Sequence, residues 1–142
     1  MYEYRVAEVD RVVDGDTVDL VLDLGFSLFK KERCRVAGID SPESRTRDLK
    51  EKKYGIEAKN ALMRMLSQKR NFIVRTEKDG KYGRCLAWIY AEGDKKSINE
   101  SMVDLGFAWR YDGGTKLTGD ERFAELDKRR SAALSIIKEL TE

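Results

Sequence analysis

Histidine is absent from this 142-residue chain. Any proton transfer it performs must fall to a carboxylate, a lysine, a tyrosine or a thiol. Proline occurs once, at Pro42, where it biases Ser41 away from helical angles and fixes a turn that carries Asp40 and Glu43. The two cysteines, Cys34 and Cys85, lack metal-ligand spacing. Both lie in apolar, strand-like runs that suit small buried side chains, and their spacing leaves open whether they pair. No apolar run approaches membrane-spanning length, so no membrane partner is expected. Residues 1–5 (MYEYR) have no apolar stretch of signal-peptide type, so a cytoplasmic protein or a processed secreted form is expected. A large excess of one charge is also missing: 28 basic groups face 26 acidic ones, for a net charge of +2. Bulk electrostatics therefore do not announce a polyanion binder.

With 41% hydrophobic and 38% charged residues, the chain can build a core under a strongly polar surface. Its length suits a single domain over residues 1–142, and a monomer is expected. Charge is uneven along it. Residues 44–53 (SRTRDLKEKK) carry a net +3 directly after the acidic Asp40/Glu43 pair. That run is either a solvated loop or a guide for a polyanion.

Residues 4–13 read as a first strand, and Asp14-Gly15 as a turn. In 17–24, Val18, Leu20, Leu22 and Leu24 alternate with Asp19, Val21 and Asp23, the period of a half-buried strand. Residues 28–39 make a third strand with a bulge at Gly38. Ala58, Ala61, Leu62, Met65 and Leu66 fall on one helical face. Strands at 71–76 and 84–91 flank a hairpin turn at Asp79-Gly80. Ser97-Ile98-Asn99-Glu100 and Thr118-Gly119-Asp120-Glu121 fit capping boxes. The helix after the second is expected to bury Phe123, Leu126, Ala133, Leu134 and Ile137, and 107–117 is expected as a loop. Strands followed by helices point to an α+β fold, a five-stranded OB-type β-barrel with three packed α-helices.

Asp16 and Asp40 each stand at a strand end, where barrel strands converge. Two carboxylates with a backbone carbonyl such as that of Ser41 suit a hard cation such as Ca²⁺. Glu43, three residues beyond Asp40, can take a proton from water. Arg35 and Arg84 enter apolar runs, an awkward place for a guanidinium without an anionic partner. Their planar forks match phosphate oxygens. Taken singly, each reads better as a structural ion pair. Together they make a minimal kit for metal-assisted phosphodiester cleavage.

The stretches VVDGDTV at 12–18, RVAGIDSPE at 35–43, KYGIEAK at 53–59, KYGRCLAWIY at 81–90 and INESMVDLGFA at 98–108 resemble, in order, those of the staphylococcal (micrococcal) nuclease family. The resemblance covers nearly the whole chain. It implies Ca²⁺-dependent endonucleolysis of DNA and RNA that leaves 3′-phosphate ends. It implies Asp16, Asp40 and the Ser41 carbonyl as metal ligands, Glu43 as the water-activating carboxylate, and Arg35 and Arg84 as phosphate-gripping arginines. Lys81 and Tyr82 resemble the pair that contacts a neighbouring phosphate, Tyr111 the tyrosine beside the nucleotide, and 44–53 the mobile loop at the site. The chain departs from the family at Leu134-Ser135-Ile136-Ile137, where a pattern ending in tryptophan is replaced. The competing expectation is a non-catalytic OB-type module that binds nucleic acid or protein.

Overall fold

A computed structural model describes residues 2–78 and 85–141, the side chains of Lys78 and Thr141 excepted. Five strands close a barrel: β1 (Tyr2–Asp14), β2 (Thr17–Gly25), β3 (Leu28–Val36), β5 (Phe72–Lys78) and β6 (Cys85–Ala91), in the order β1-β2-β3-β6-β5. All neighbours are antiparallel except β3 and β6, which run parallel with Cys34 opposite Cys85 and Arg35 opposite Leu86. Two-residue strands β4 (Ile39–Asp40) and β7 (Trp109–Arg110) pair outside the barrel. Three helices complete the described elements: α1 (Leu49–Leu66), α2 (Ile98–Asp104) and α3 (Glu121–Thr141). This is the expected α+β arrangement of OB type.

The alternation in β2 holds in part: Leu24, beside the hairpin turn, is exposed, and Asp19 on the opposite face is buried against Arg33. Val18, Leu20 and Leu22 point into the barrel and are buried, with Cys34, Val36, Val74 and Ile89 from the neighbouring strands. Ala58, Ala61, Leu62 and Leu66 of α1 and Met102 and Val103 of α2 close the barrel ends. The β2–β3 hairpin turns through Phe26 and Ser27, both at positive φ (56° and 62°). Two successive positive φ values match the right-handed twist of the flanking strands, but glycine or asparagine would adopt them at less cost. The Asp79-Gly80 turn lies outside the described residues.

Several local expectations change. Gly38 is no bulge within one long strand: β3 stops at Val36, and Gly38, at φ 77°, makes the turn into β4. Residues 107–117 are not all loop, because Trp109–Arg110 form β7 against β4. The basic segment 44–53 is divided. Asp48 caps α1 by accepting from the backbone of Lys50 and Glu51 (3.0 and 3.3 Å), so residues from Leu49 onward are helical. Of the first capping box the N-cap half forms, with the Ser97 side chain accepting from Glu100 N. α3 begins at Glu121, so Asp120 and not Thr118 precedes it.

α3 also buries less than its periodicity suggests. Phe123 and Leu126 are buried, Ala133 is half-buried, and Leu134 and Ile137 are exposed. Its first half is docked: Phe123 stacks on Tyr54 at 4.7 Å, Trp109 Nε1 donates to Arg122 O, and Arg130 Nε donates to Gly106 O. Periodicity defines which face of a helix is apolar; it does not say how far along the helix a neighbour extends to cover that face.

Candidate active site

The site forms where the β1–β2 turn meets the end of β3. Asp16 lies in the turn just before β2, and its carbonyl accepts from Val36 N at 2.8 Å, which ties the turn to the rung after Arg35. Its carboxylate accepts from Thr17 Oγ1 (3.0 Å) and from Ser41 N (3.1 Å). The backbone of 41–44 is thereby drawn over the barrel mouth. Pairing of β4 with β7 sets Asp40 opposite Trp109. Asp16, Asp40 and Ser41 are all buried.

Arg35 reaches into the gap between the two aspartates. Its Nη2 lies 3.5 Å from Asp16 Oδ2, 3.7 Å from Asp40 Oδ1 and 3.5 Å from the Ile39 carbonyl oxygen. These are long contacts for a guanidinium, which ordinarily bonds a carboxylate below 3 Å in a forked pair. The cation is held near both acids without being committed to either. Burial pushes the Asp40 carboxyl up from its ordinary value; Lys116 opposes this, Asp16 reinforces it and Arg35 opposes it. A second cation completes the balance, with Lys116 Nζ 3.3 Å from Asp40 Oδ1.

The segment after β7 forms one wall. Tyr111 N donates to Gly38 O, and Tyr111 Oη donates to Gly114 O. The ring lies 5.8 Å from the Arg35 guanidinium and 5.8 Å from Lys116 Nζ. Between Gly38, Asp40, Trp109, Tyr111 and Leu117 runs an open cleft of about 390 Å³. A flat aromatic ring beside two cations and a cleft can hold a base next to its phosphate.

Glu43 stands exposed at the rim. Its position is set through its backbone: Glu43 N donates to Glu51 Oε2 at 3.0 Å, and Glu51 is gripped by Arg122 at 2.7 Å. The next residue is latched by Asp14, which accepts from Ser44 N (3.2 Å) and Ser44 Oγ (2.6 Å). Two glycines make room for this segment. A Cβ at Gly15 would meet Ser41 Oγ at 2.9 Å, and one at Gly55 would meet the Glu43 carbonyl oxygen at 2.2 Å.

The structure thus brings together Asp16, Arg35, Asp40 and Ser41, sets Tyr111 beside them, and leaves Glu43 at the edge. Lys81, Tyr82 and Arg84 lie outside the described residues. Lys116 was not anticipated, because a lysine in a non-periodic loop carries no local signal. Nor were the supports Asp14, Glu51, Gly55 and Arg122. Asp48-Leu49-Lys50-Glu51 does hold a helix-start signature, which would have placed Glu51 in the first turn facing Glu43.

Among the described residues no three of His, Cys, Asp and Glu gather in a metal-holding cluster. The donors present are nevertheless the kind a hard cation takes: two buried carboxylates and neutral oxygens of Ser41. The Ser41 hydroxyl is buried and makes no hydrogen bond with any described residue, the condition of an oxygen with room for a ligand. The residues therefore fit Ca²⁺, which Asp16, Asp40 and Ser41 would hold.

The family described as staphylococcal nuclease homologue matches residues 33–135. The chain belongs to that family. It is 42% identical over 85 residues to staphylococcal-like nuclease CAN1 of Arabidopsis thaliana, an alignment that covers 59% of this chain and 23% of that protein. It is 32% identical over 111 residues to protein ParB of Escherichia coli, covering 73% and 56%. With a Haemophilus influenzae protein named as an uncharacterized endonuclease it shares 33% identity over 109 residues, covering 77% and 54%. The chain thus spans from about a quarter to somewhat over half of the length of these relatives. Among the described residues no helix is long and apolar enough to cross a membrane.

Proposed function

We propose that this chain is a Ca²⁺-dependent endonuclease that hydrolyses the phosphodiester bonds of DNA and RNA and leaves 3′-phosphate ends. The observation that carries this reading is Arg35 held between the buried carboxylates of Asp16 and Asp40 at 3.5 and 3.7 Å. A phosphate entering the mouth offers that guanidinium a better partner than either aspartate does, because it accepts the whole fork. As water attacks phosphorus, negative charge builds on the equatorial oxygens, and a donor aimed there acts mainly on the transition state. Glu43, exposed and aimed by its backbone, takes the proton of the attacking water. The P–O5′ bond breaks, the 5′ oxygen leaves and takes up a proton, and phosphate stays on the 3′ oxygen. Bound Ca²⁺ would supply positive charge that polarises the phosphate. The family resemblance gives Arg84 the second grip on that phosphate and Lys81 and Tyr82 a hold on its neighbour. Tyr111 offers a stacking surface for an unpaired base.

Specificity for sequence is expected to be weak, since these groups face phosphate and not base edges. The test is plasmid DNA and single-stranded RNA incubated with the purified chain and Ca²⁺, Mg²⁺ or chelator, followed by end-group analysis. Cleavage with Ca²⁺, abolished by chelator and leaving 3′-phosphates, is expected. Both substrates intact after hours with Ca²⁺, but retained in a binding assay, would transfer the chain to the non-catalytic binding reading.

A further inference from the structure

The two cysteines are the only thiols in the chain, and the mechanism uses neither. They are 51 positions apart in sequence, yet the barrel makes them direct partners. Cys34 of β3 and Cys85 of β6 face each other across the barrel's parallel pair. Both are free thiols, with Sγ atoms 3.2 Å apart. Neighbouring strands run about 4.8 Å apart, which falls inside the Cα separation a disulfide bridges, about 4.4–6.8 Å. The sulfurs need to approach by only about 1.2 Å to bond. The environments of the two differ. Cys34 is fully buried, with Val18 opposite it on its other side, whereas Cys85 is half-buried and so reachable from solvent.

We propose that Cys34 and Cys85 are a redox modification site, at which a small-molecule disulfide such as oxidised glutathione converts them reversibly into an intramolecular disulfide. The Cys34 thiol donates its hydrogen bond to Cys85 Sγ. This bond holds Cys85 below the ordinary thiol value, against its burial and against Glu32, with help from Lys30. The same bond, with burial, pushes Cys34 up. One thiol is thereby set as the attacking thiolate and the other as the resolving group.

The chemistry balances in two exchanges. The Cys85 thiolate attacks one sulfur of oxidised glutathione; the S–S bond breaks, a glutathione thiolate leaves and takes the proton that Cys85 released. Cys34 then gives up its proton and attacks Cys85 Sγ in the mixed disulfide, and the second glutathione leaves as its thiol. Two protein thiols are oxidised and one glutathione disulfide is reduced to two thiols. Half-exposure of Cys85 leaves the bridge open to attack by a solvent thiol, which favours a labile bond over a permanent one. The modification would fall one residue before Arg35 and one after Arg84, yet its chemistry does not depend on the nuclease reading.

The test is to hold the reduced chain in glutathione mixtures of increasing oxidation, quench with acid, alkylate with maleimide and weigh the intact protein and its peptides. The expected species is a monomer lighter by two hydrogens, unreactive to maleimide, with a peptide linking Cys34 to Cys85, and restored by dithiothreitol. Cys34→Ala, confirmed folded by circular dichroism, is expected to accumulate a stable glutathione adduct on Cys85. Two maleimide-reactive thiols persisting in excess oxidised glutathione, or a bridge formed only between two chains, would overturn the proposal.

Discussion

Gly55→Ala puts two opposing effects on one atom, and the structure decides between them. Gly55 lies within α1, where replacing glycine by alanine ordinarily gains about 1 kcal/mol of helix propensity. Here the added Cβ would lie 2.2 Å from the Glu43 carbonyl oxygen, 2.3 Å from its carbon and 2.6 Å from Ser44 N. Ordinary contact begins at 3.4 Å, so something must move by about 1.2 Å. The obstacle is backbone, not the flexible end of a side chain. α1 cannot retreat, because Ala58, Ala61, Leu62 and Leu66 are packed in the core. The 41–44 segment must yield, along with Glu43 N to Glu51 and the two Ser44 bonds to Asp14. Overpacking costs about 1–3 kcal/mol, and each weakened hydrogen bond up to about 1 kcal/mol more. After the helical gain, a net loss of up to about 5 kcal/mol is expected, with a lower Tm and a fall in turnover as Glu43 and Ser41 leave their positions. Chemical denaturation and DNA cleavage, with exposed Asn60→Ala on the same helix as a control, measure both. A raised Tm with unchanged turnover would refute the close-approach reasoning.

Other sites make independent tests. Asn99 is buried, accepts from Ile89 N and donates to the carbonyls of Ala37 and Ala87. Asn99→Leu strands the Ile89 N–H and the Ala37 carbonyl, while Ala87 O keeps Ala37 N. A loss of about 2–5 kcal/mol in urea unfolding is expected. Phe26 is fully exposed and, like Ser27, sits at positive φ; Phe26→Asn with Ser27→Gly is expected to stabilise by roughly 1 kcal/mol by the same measure. Asp40 has its carboxyl raised in the fold, chiefly by burial. The folded state therefore holds this proton to higher pH than the unfolded chain does, and the fold loses stability as pH rises through the interval between the two values. Asp40→Asn is expected to match the parent in acid, to gain relative Tm through that interval and to hold the gain above it, while losing the stabilisation that Ca²⁺ gives the parent. A variant less stable than its parent at neutral pH without metal would reverse the sign and mark Asp40 as a structural ion-pair partner.

Local features were the legible ones. The turn after Asp14, the burial of Val18, Leu20 and Leu22 and the cap at Ser97 each depend on neighbours within a few residues, and each formed; at Pro42 the chain makes no turn, and its bend comes later, at Ser44 and Arg45. The acids and Arg35 could be nominated because few other reasons place them at strand ends. What escaped depends on distant chain. The β4–β7 pairing spans two residues on each side, too short for any period to emerge. Lys116 gains meaning only once its loop folds back on Asp40. The role of Gly55 arises from close approach of a segment about twelve positions earlier, which no helical pattern encodes. Exposure of Leu134 and Ile137 follows from where the docked half of α3 ends, and that is a property of its neighbours.

The central claim is that the cations at the barrel mouth act on phosphate in the transition state. Single-turnover cleavage of a short DNA with saturating Ca²⁺ tests it most directly, with Arg35→Ala and Arg35→Lys beside the parent. Loss of one matched donor is expected to slow the chemical step by about 10²–10³-fold. Lysine, which keeps the charge and loses the fork, is expected to recover only part of the rate. Both variants must remain folded by circular dichroism. Parental rates in a folded Arg35→Ala protein would contradict the account.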